Sequence, residues 1–198
     1  LHNSGRRQRQ MCIRDSEYIN PLFVSEFNFH EHENPLEHRT KKQVDLEMYN
    51  VGGSIVRIEE KDGKWQMVHN DLHNRRITAH TPIPFNWDSQ IMGKSEAIGT
   101  HSNCSGGITP WNTFLTCEEN YQDAFGEIVY DENNMATHIS GRYGWEQFYN
   151  YPPEHYGWVV EVDPKDGTAQ KHVALGRFAH ECCTLYELDN KCIVAYSG

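Results

Sequence analysis

The sequence predicts an all-β chain built as part of a β-propeller. One observation is a gapless internal match between two hairpin units. Gly53-Ser54-Ile55-Val56-Arg57-Ile58 runs on to Lys61-Asp62-Gly63, and Gly157-Trp158-Val159-Val160-Glu161-Val162 runs on to Lys165-Asp166-Gly167. A second is a further strand–turn–strand signal over Thr184–Tyr196, with Asp189-Asn190 at its turn. A third is that an apolar period of 3.6 is hardly found anywhere. Repeated short β-meanders of this kind suit a propeller. A β-sandwich is the alternative, because hairpins alone do not fix how sheets close.

Composition agrees. With 198 residues and 37% hydrophobic content, the chain is long enough for one domain with a core. A net charge of −10 argues against nucleic acid as the main partner. No run approaches the roughly 18–20 apolar residues of a membrane span. The cysteines at 12, 104, 117, 182, 183 and 192 form neither a CxxC zinc pattern nor a disulfide framework, so they do not settle the compartment.

In chain order, residues 1–16 are basic and polar and read as a non-native or disordered tail, leaving 17–198 as the domain. Pro21–Phe27 reads as a strand that carries Glu26. His30, His32 and His38 crowd a polar segment, more a solvated loop than a metal site. The Asp62-Gly63 and Asp166-Gly167 turns are expected in different blades. Long irregular segments at 80–88 and 131–153 are the kind of loop that carries function on a β scaffold. The chain stops in or just after a strand, which reads as a C-terminal truncation.

The densest chemistry lies in Asn103-Cys104-Ser105-Gly106-Gly107-Ile108-Thr109-Pro110-Trp111-Asn112-Thr113-Phe114-Leu115-Thr116-Cys117-Glu118-Glu119. Two thiols and two carboxylates accompany a Pro-Trp turn and a Gly-Gly pair expected to let the backbone take positive φ and pass close to something bulky or charged. Thr113–Cys117 reads as a short strand. Cys117, inside it, is expected to be packed, whereas Cys104 precedes a turn able to aim it into a site. The bland alternative is a buried strand with two packed cysteines and two solvated glutamates.

With these motifs assembled, the chain resembles the PhoX family of secreted bacterial alkaline phosphatases over about residues 20–198. The resemblance rests on five segments in order: Glu26-Phe27, Asn74-Arg75-Arg76-Ile77-Thr78, the long central motif, Gly176-Arg177-Phe178-Ala179-His180-Glu181, and Ala195-Tyr196-Ser197-Gly198. The chain departs from the family's more usual Gly and Trp at Asn112 and Phe114, which leaves the candidate ligands intact.

The resemblance implies a six-bladed propeller, monomeric at full length, with iron and calcium at one mouth, hydrolysing small phosphate monoesters outside the cytoplasm. It implies Cys104 as an iron thiolate, with Glu118, Glu119, Glu181 and Glu26 as further metal ligands. Hard cations favour carboxylate oxygens, and a thiolate suits iron. Arg76 and Arg177, with Arg75 beside them, are candidates to steady phosphate charge. Two other functions are weighed: a propeller that binds without turnover, and a hydrolase using Cys104 as nucleophile with His101 or His180.

Overall fold

The computed structural model describes residues 10–12 and 19–198. Apart from 10–12, the tail expected at 1–16 lies outside the described residues. Strand β1 (Gln10–Cys12) pairs antiparallel with Ile55–Arg57. Next comes a single turn of helix, α1 (Pro21–Val24), where a strand was expected. Pro21 stands in the first turn, where its missing N–H costs nothing, and Ser25 closes the turn onto the Pro21 carbonyl.

Helix α2 (Lys41–Asn50) is an element the sequence reading missed. Its start is a reciprocal capping box: Thr40 accepts from the Gln43 N–H, and the Gln43 side chain accepts from the Thr40 N–H. The helix buries Val44, Glu47 and Met48, spaced for one face. Glu47 is buried because it has partners. Arg39 Nη2 pairs with it, Ser25 Oγ donates at 2.6 Å and Trp145 Nε1 donates at 2.9 Å. Between α1 and α2 the histidine segment is largely solvated, as expected, with His32 stacked on His38 at 4.3 Å.

Strands β2 (Gly53–Lys61) and β3 (Lys64–Met67) form the first Asp-Gly hairpin. Asp62 and Gly63 both take positive φ, 53° and 74°, as a two-residue hairpin loop requires. Strand β4 (Arg75–Ile77) pairs with the start of β2. The expected loop at 80–88 contains β5 (Pro82–Pro84), paired with β6 (Glu96–Ile98).

Strands β7 (Asn103–Ile108) and β8 (Phe114–Glu118) carry the central motif. After the turn of helix α3 (Gln122–Phe125), β9 (Glu127–Tyr130) and β10 (Ala136–Ile139) pair, so the segment expected to be irregular at 131–153 holds a strand. The second Asp-Gly hairpin is β11 (Val159–Val162) and β12 (Ala169–His172). The last pair is β13 (Cys183–Glu187) and β14 (Ile193–Ser197), at the predicted hairpin.

The two matched hairpins lie in separate sheets and differ at their turns. Strand β2 runs on to Lys61, whereas β11 stops at Val162. Pro164, standing where β2 has Glu60, has no N–H for a ladder. The loop there is closed by main-chain bonds from Asp163 to Thr168 and from Gly167 to Asp163, each 2.8 Å.

One of the two four-stranded sheets has the antiparallel order β12-β11-β8-β7. It is extended at both edges. On one side Asn86 N–H donates to the Lys171 carbonyl at 2.8 Å, and on the other Ser105 N–H donates to the Glu181 carbonyl at 2.9 Å. Described residues thus form small antiparallel sheets with few helices, a partial propeller-like, all-β arrangement. Ile55, Ile77, Ile83, Val160 and Val162 pack between sheets, while α2 packs onto an aromatic cluster of Phe125, Trp145 and Tyr156.

Candidate functional site

The β7–β8 hairpin turns where Pro110 fixes φ. Thr109 N–H donates to the Thr113 carbonyl and Asn112 N–H to the Thr109 carbonyl, both at 3.0 Å, with Asn112 left-handed at φ 68°. Of the two uses expected of Gly106 and Gly107, positive φ is not found. Their role is close approach. A Cβ on Gly106 would stand 1.7 Å from the Leu115 carbonyl oxygen, and one on Gly107 would stand 2.5 Å from that of Cys183. The missing side chains let β7 lie pressed between β8 and β13.

Asn103 pairs with Glu118, but Gly106 pairs with Thr116, so two residues of β7 oppose one of β8. This bulge carries Cys104, which is half-buried. Its neighbour Asn103 is fully buried and its Oδ1 has no partner. Cys117 is buried with Leu115, Val159 and Cys183, and burial pushes its thiol far above the usual range. Cys104 is therefore the better placed of the two thiols for ligation.

The two glutamates that end the motif separate. Glu118 is fully buried, with Oε1 2.7 Å from Lys171 Nζ. Its Oε2 accepts from Gly157 N–H at 2.9 Å and Trp158 N–H at 3.1 Å. Lys171 is equally buried. It also donates to the His155 carbonyl at 2.9 Å and lies 4.6 Å from the Tyr156 ring centre. Burial pushes the Lys171 ammonium down, against the pull of Glu118. A carboxylate so engaged, with an ammonium at 2.7 Å, does not fit a cation ligand.

Glu119, just past the end of β8, is half-buried, its N–H donating to the Ser102 carbonyl at 2.9 Å. Glu181 is exposed, its carbonyl held by Ser105 N–H. The main chains of Cys104, Glu119 and Glu181 thus adjoin the first half of β7. Glu26 does not join them. It is exposed, left-handed at φ 56°, and lines a groove with Thr40, Lys42 and Gln43 at the start of α2. Among the described residues no three His, Cys, Asp or Glu side chains converge closely enough to hold a metal ion. Cys104 on β7, with Glu119 and Glu181 to either side of it, has suitable donor chemistry, but among the described residues the three do not close a coordination sphere.

The arginines have structural partners. Arg76 Nη2 donates to the Asn50 and Val51 carbonyls at 3.1 and 3.0 Å, closing the end of α2. Arg177 forks onto Glu127 at 3.0 and 3.1 Å and donates to the carbonyls of Tyr156 and Pro153. Arg75 binds the carbonyls of His73, Leu72, Lys165 and Asp166.

Neither imidazole is set up as a base for Cys104. His180 commits its nitrogens to Gly176 and Ser197. His101 Nδ1 lies 3.1 Å from Ser102 Oγ, and its Nε2 has no partner in a pocket of Phe125, Trp145 and Tyr156. Burial, reinforced by Lys171, holds the His101 imidazole well below its ordinary pKa and neutral. The partner that sequence reasoning missed is Lys171, a lone lysine in a strand with no local pattern to mark it.

The family model for alkaline phosphatase PhoX matches residues 3–198. Among solved structures, Pseudomonas fluorescens PhoX in complex with vanadate, a transition state analogue, is similar at 33% identity with a TM-score of 0.69. The match covers 81% of this chain and 32% of that one, so the chain spans about a third of the length of that relative. No curated protein matches the chain.

Proposed function

The chain belongs to the PhoX family of alkaline phosphatases, and on that footing we propose that it is part of a metal-dependent enzyme hydrolysing small phosphate monoesters. The observation that carries the proposal is the match to a relative holding vanadate, a mimic of phosphoryl transfer, joined to the Cys104 bulge beside Glu119 and Glu181. The metals proposed are iron and calcium, and the reaction is placed outside the cytoplasm, as the family resemblance implies. No helix among the described residues is long and apolar enough to cross a membrane.

In this reading Cys104 supplies a thiolate and Glu119 and Glu181 supply carboxylates, with further ligands from a polypeptide of the relative's length. When bound, such ions polarise the phosphoryl oxygens and stabilise the charge that builds on the attacking and leaving oxygens. The bulge sets the direction of the thiol, because two residues of β7 opposite one of β8 bend the strand without breaking the hairpin. Arg177, next to the Glu181 segment, is the arginine proposed to steady the ester. Arg76 is assigned to the end of α2.

The test is elemental analysis and p-nitrophenyl phosphate turnover of a full-length polypeptide containing this region. Cys104→Ser is expected to lose iron and turnover with the circular dichroism spectrum unchanged, and Cys117→Ser to keep most of both. Retention of iron and turnover in Cys104→Ser, with loss of both in Cys117→Ser, would put the thiolate on the wrong residue. Unchanged turnover after complete removal of metal would overturn the metallophosphatase reading itself.

A further inference from the structure

We infer that Glu118 is not a metal ligand and that Glu118 and Lys171 together form a buried positioning pair, which holds the motif-bearing segments in register. The exclusion of Glu118 from the ligand set rests on the metallophosphatase reading; the positioning role does not.

Four segments meet at Glu118. Its own main chain ends β8, with N–H donating to the Trp158 carbonyl at 3.2 Å. Its Oε2 holds the N–H groups of Gly157 and Trp158 where the chain enters β11. Its Oε1 holds Lys171 of β12. Its carbonyl accepts from His180 N–H at 3.2 Å, which places the Gly176–Glu181 motif against β8. One residue further, the Glu181 carbonyl receives Ser105 N–H beside Cys104. Cys104, Glu119 and Glu181 thus take their relative positions from a frame whose centre is one buried carboxylate.

Lys171 makes that frame tenable. A fully buried carboxylate with no cation is costly, and removing one partner of a buried pair leaves the other charge uncompensated. Lys171 also ties the His155 carbonyl to the same point, beneath the Tyr156 ring. Gly157 is left-handed at φ 89°, and a Cβ there would meet the Tyr121 ring at 2.7 Å, so the approach to Glu118 is built for a bare backbone. A metal ligand would need its carboxylate open to a cation, whereas the Glu118 carboxylate accepts three donated hydrogens, one of them from an ammonium.

The experiment compares Lys171→Met with the double variant Glu118→Gln/Lys171→Met by amide hydrogen exchange on the 198-residue chain. The amides read are Ser105, Glu119, Gly157, Trp158 and His180, with Val44 and Val51 of α2 as controls. In Lys171→Met the five amides are expected to exchange at least about tenfold faster, ahead of the controls or together with them if the chain unfolds as a whole. The double variant, in which a neutral amide still accepts from Gly157 and Trp158, is expected to restore most of the protection. Unchanged exchange in Lys171→Met would overturn the inference, and so would a double variant no better protected than the single one.

A second arm measures iron and calcium in the full-length polypeptide. Glu119→Gln is expected to lose metal and the double variant to keep it. Loss of metal in a double variant with restored amides would make Glu118 a ligand after all. If the parent holds no metal, the metallophosphatase reading fails, and the exchange result still decides the pair.

Discussion

Single residues decide the geometry around β7, and the glycines show it most directly. Gly106 and Gly63 were both legible as special positions, but for different physical reasons that sequence alone did not separate. At Gly106 a methyl group collides with the Leu115 carbonyl of the paired strand, a backbone atom that cannot rotate away. At Gly63 nothing lies within 4 Å, and only the left-handed φ resists a side chain. Gly106→Ala is therefore expected to cost about 3 kcal/mol or more, beyond ordinary overpacking, and Gly63→Ala about 1 kcal/mol. Chemical denaturation of the two variants checks the order, which reverses if β7 yields easily. Glu118 and Glu119 teach the same lesson. Adjacent in sequence, both were candidate ligands; what separates them is Lys171, 53 residues after Glu118. No local spacing contains that information.

Glu161 gives a residue-level prediction with a definite sign. Burial raises its pKa, but hydrogen bonds from Thr113, Trp111, Gln170 and His172 outweigh it and lower the value from 4.5 to about 2. A group with a depressed folded pKa contributes stability that is complete above its unfolded value and is lost as pH falls through the folded one. The parent is thus expected to lose stability between about pH 4.5 and pH 2, and Glu161→Gln to lose less over that window. Parallel thermal melts from pH 5 to pH 2 measure it; identical slopes in parent and variant would refute the assignment.

Among elements, hairpins were the readable part. The pairs β2–β3, β11–β12 and β13–β14 fall where Asp-Gly and Asp-Asn turns sit between alternating runs, because a hairpin is fixed by contacts close in sequence. The turn of β11–β12 was less legible, since Pro164 shortens the strand and lengthens the loop. Helix α2 was missed for a different reason. Its buried face is only Val44, Glu47 and Met48, and a glutamate breaks the apolar period. The capping box Thr40-x-x-Gln43 was the available signal, and it carries more than usual weight because α2 also presents Glu47 to Arg39. Thr40→Ala is expected to lower stability by about 1 kcal/mol, read as a shift in denaturation midpoint. A change within error would mean that tertiary packing alone holds the helix.

At the scale of the molecule, the all-β class and the propeller-like arrangement were legible from repetition, whereas the site was legible only as a set of motifs. The structure explains the difference. Repeating hairpins state their own geometry, but a metal centre depends on side chains converging from distant strands. Here Cys104 lies on β7 while Glu119 and Glu181 adjoin it from the β8 and β13 sides, Glu118 is committed to Lys171, and Glu26 sits at α2. No three donors meet among the described residues, and the chain spans 32% of the relative that holds vanadate. The 198-residue chain by itself is therefore expected to show no hydrolysis of p-nitrophenyl phosphate above background, even when saturated with iron and calcium. The same residues within a polypeptide of the relative's length are expected to turn over. Both proteins should be assayed at equal molar concentration with bound metal counted beforehand, so that failed loading is not mistaken for failed catalysis. Comparable turnover from the short chain would show that a working centre assembles from these residues alone, and would require Glu119, Glu181 and Cys104 to converge in a way the described geometry does not.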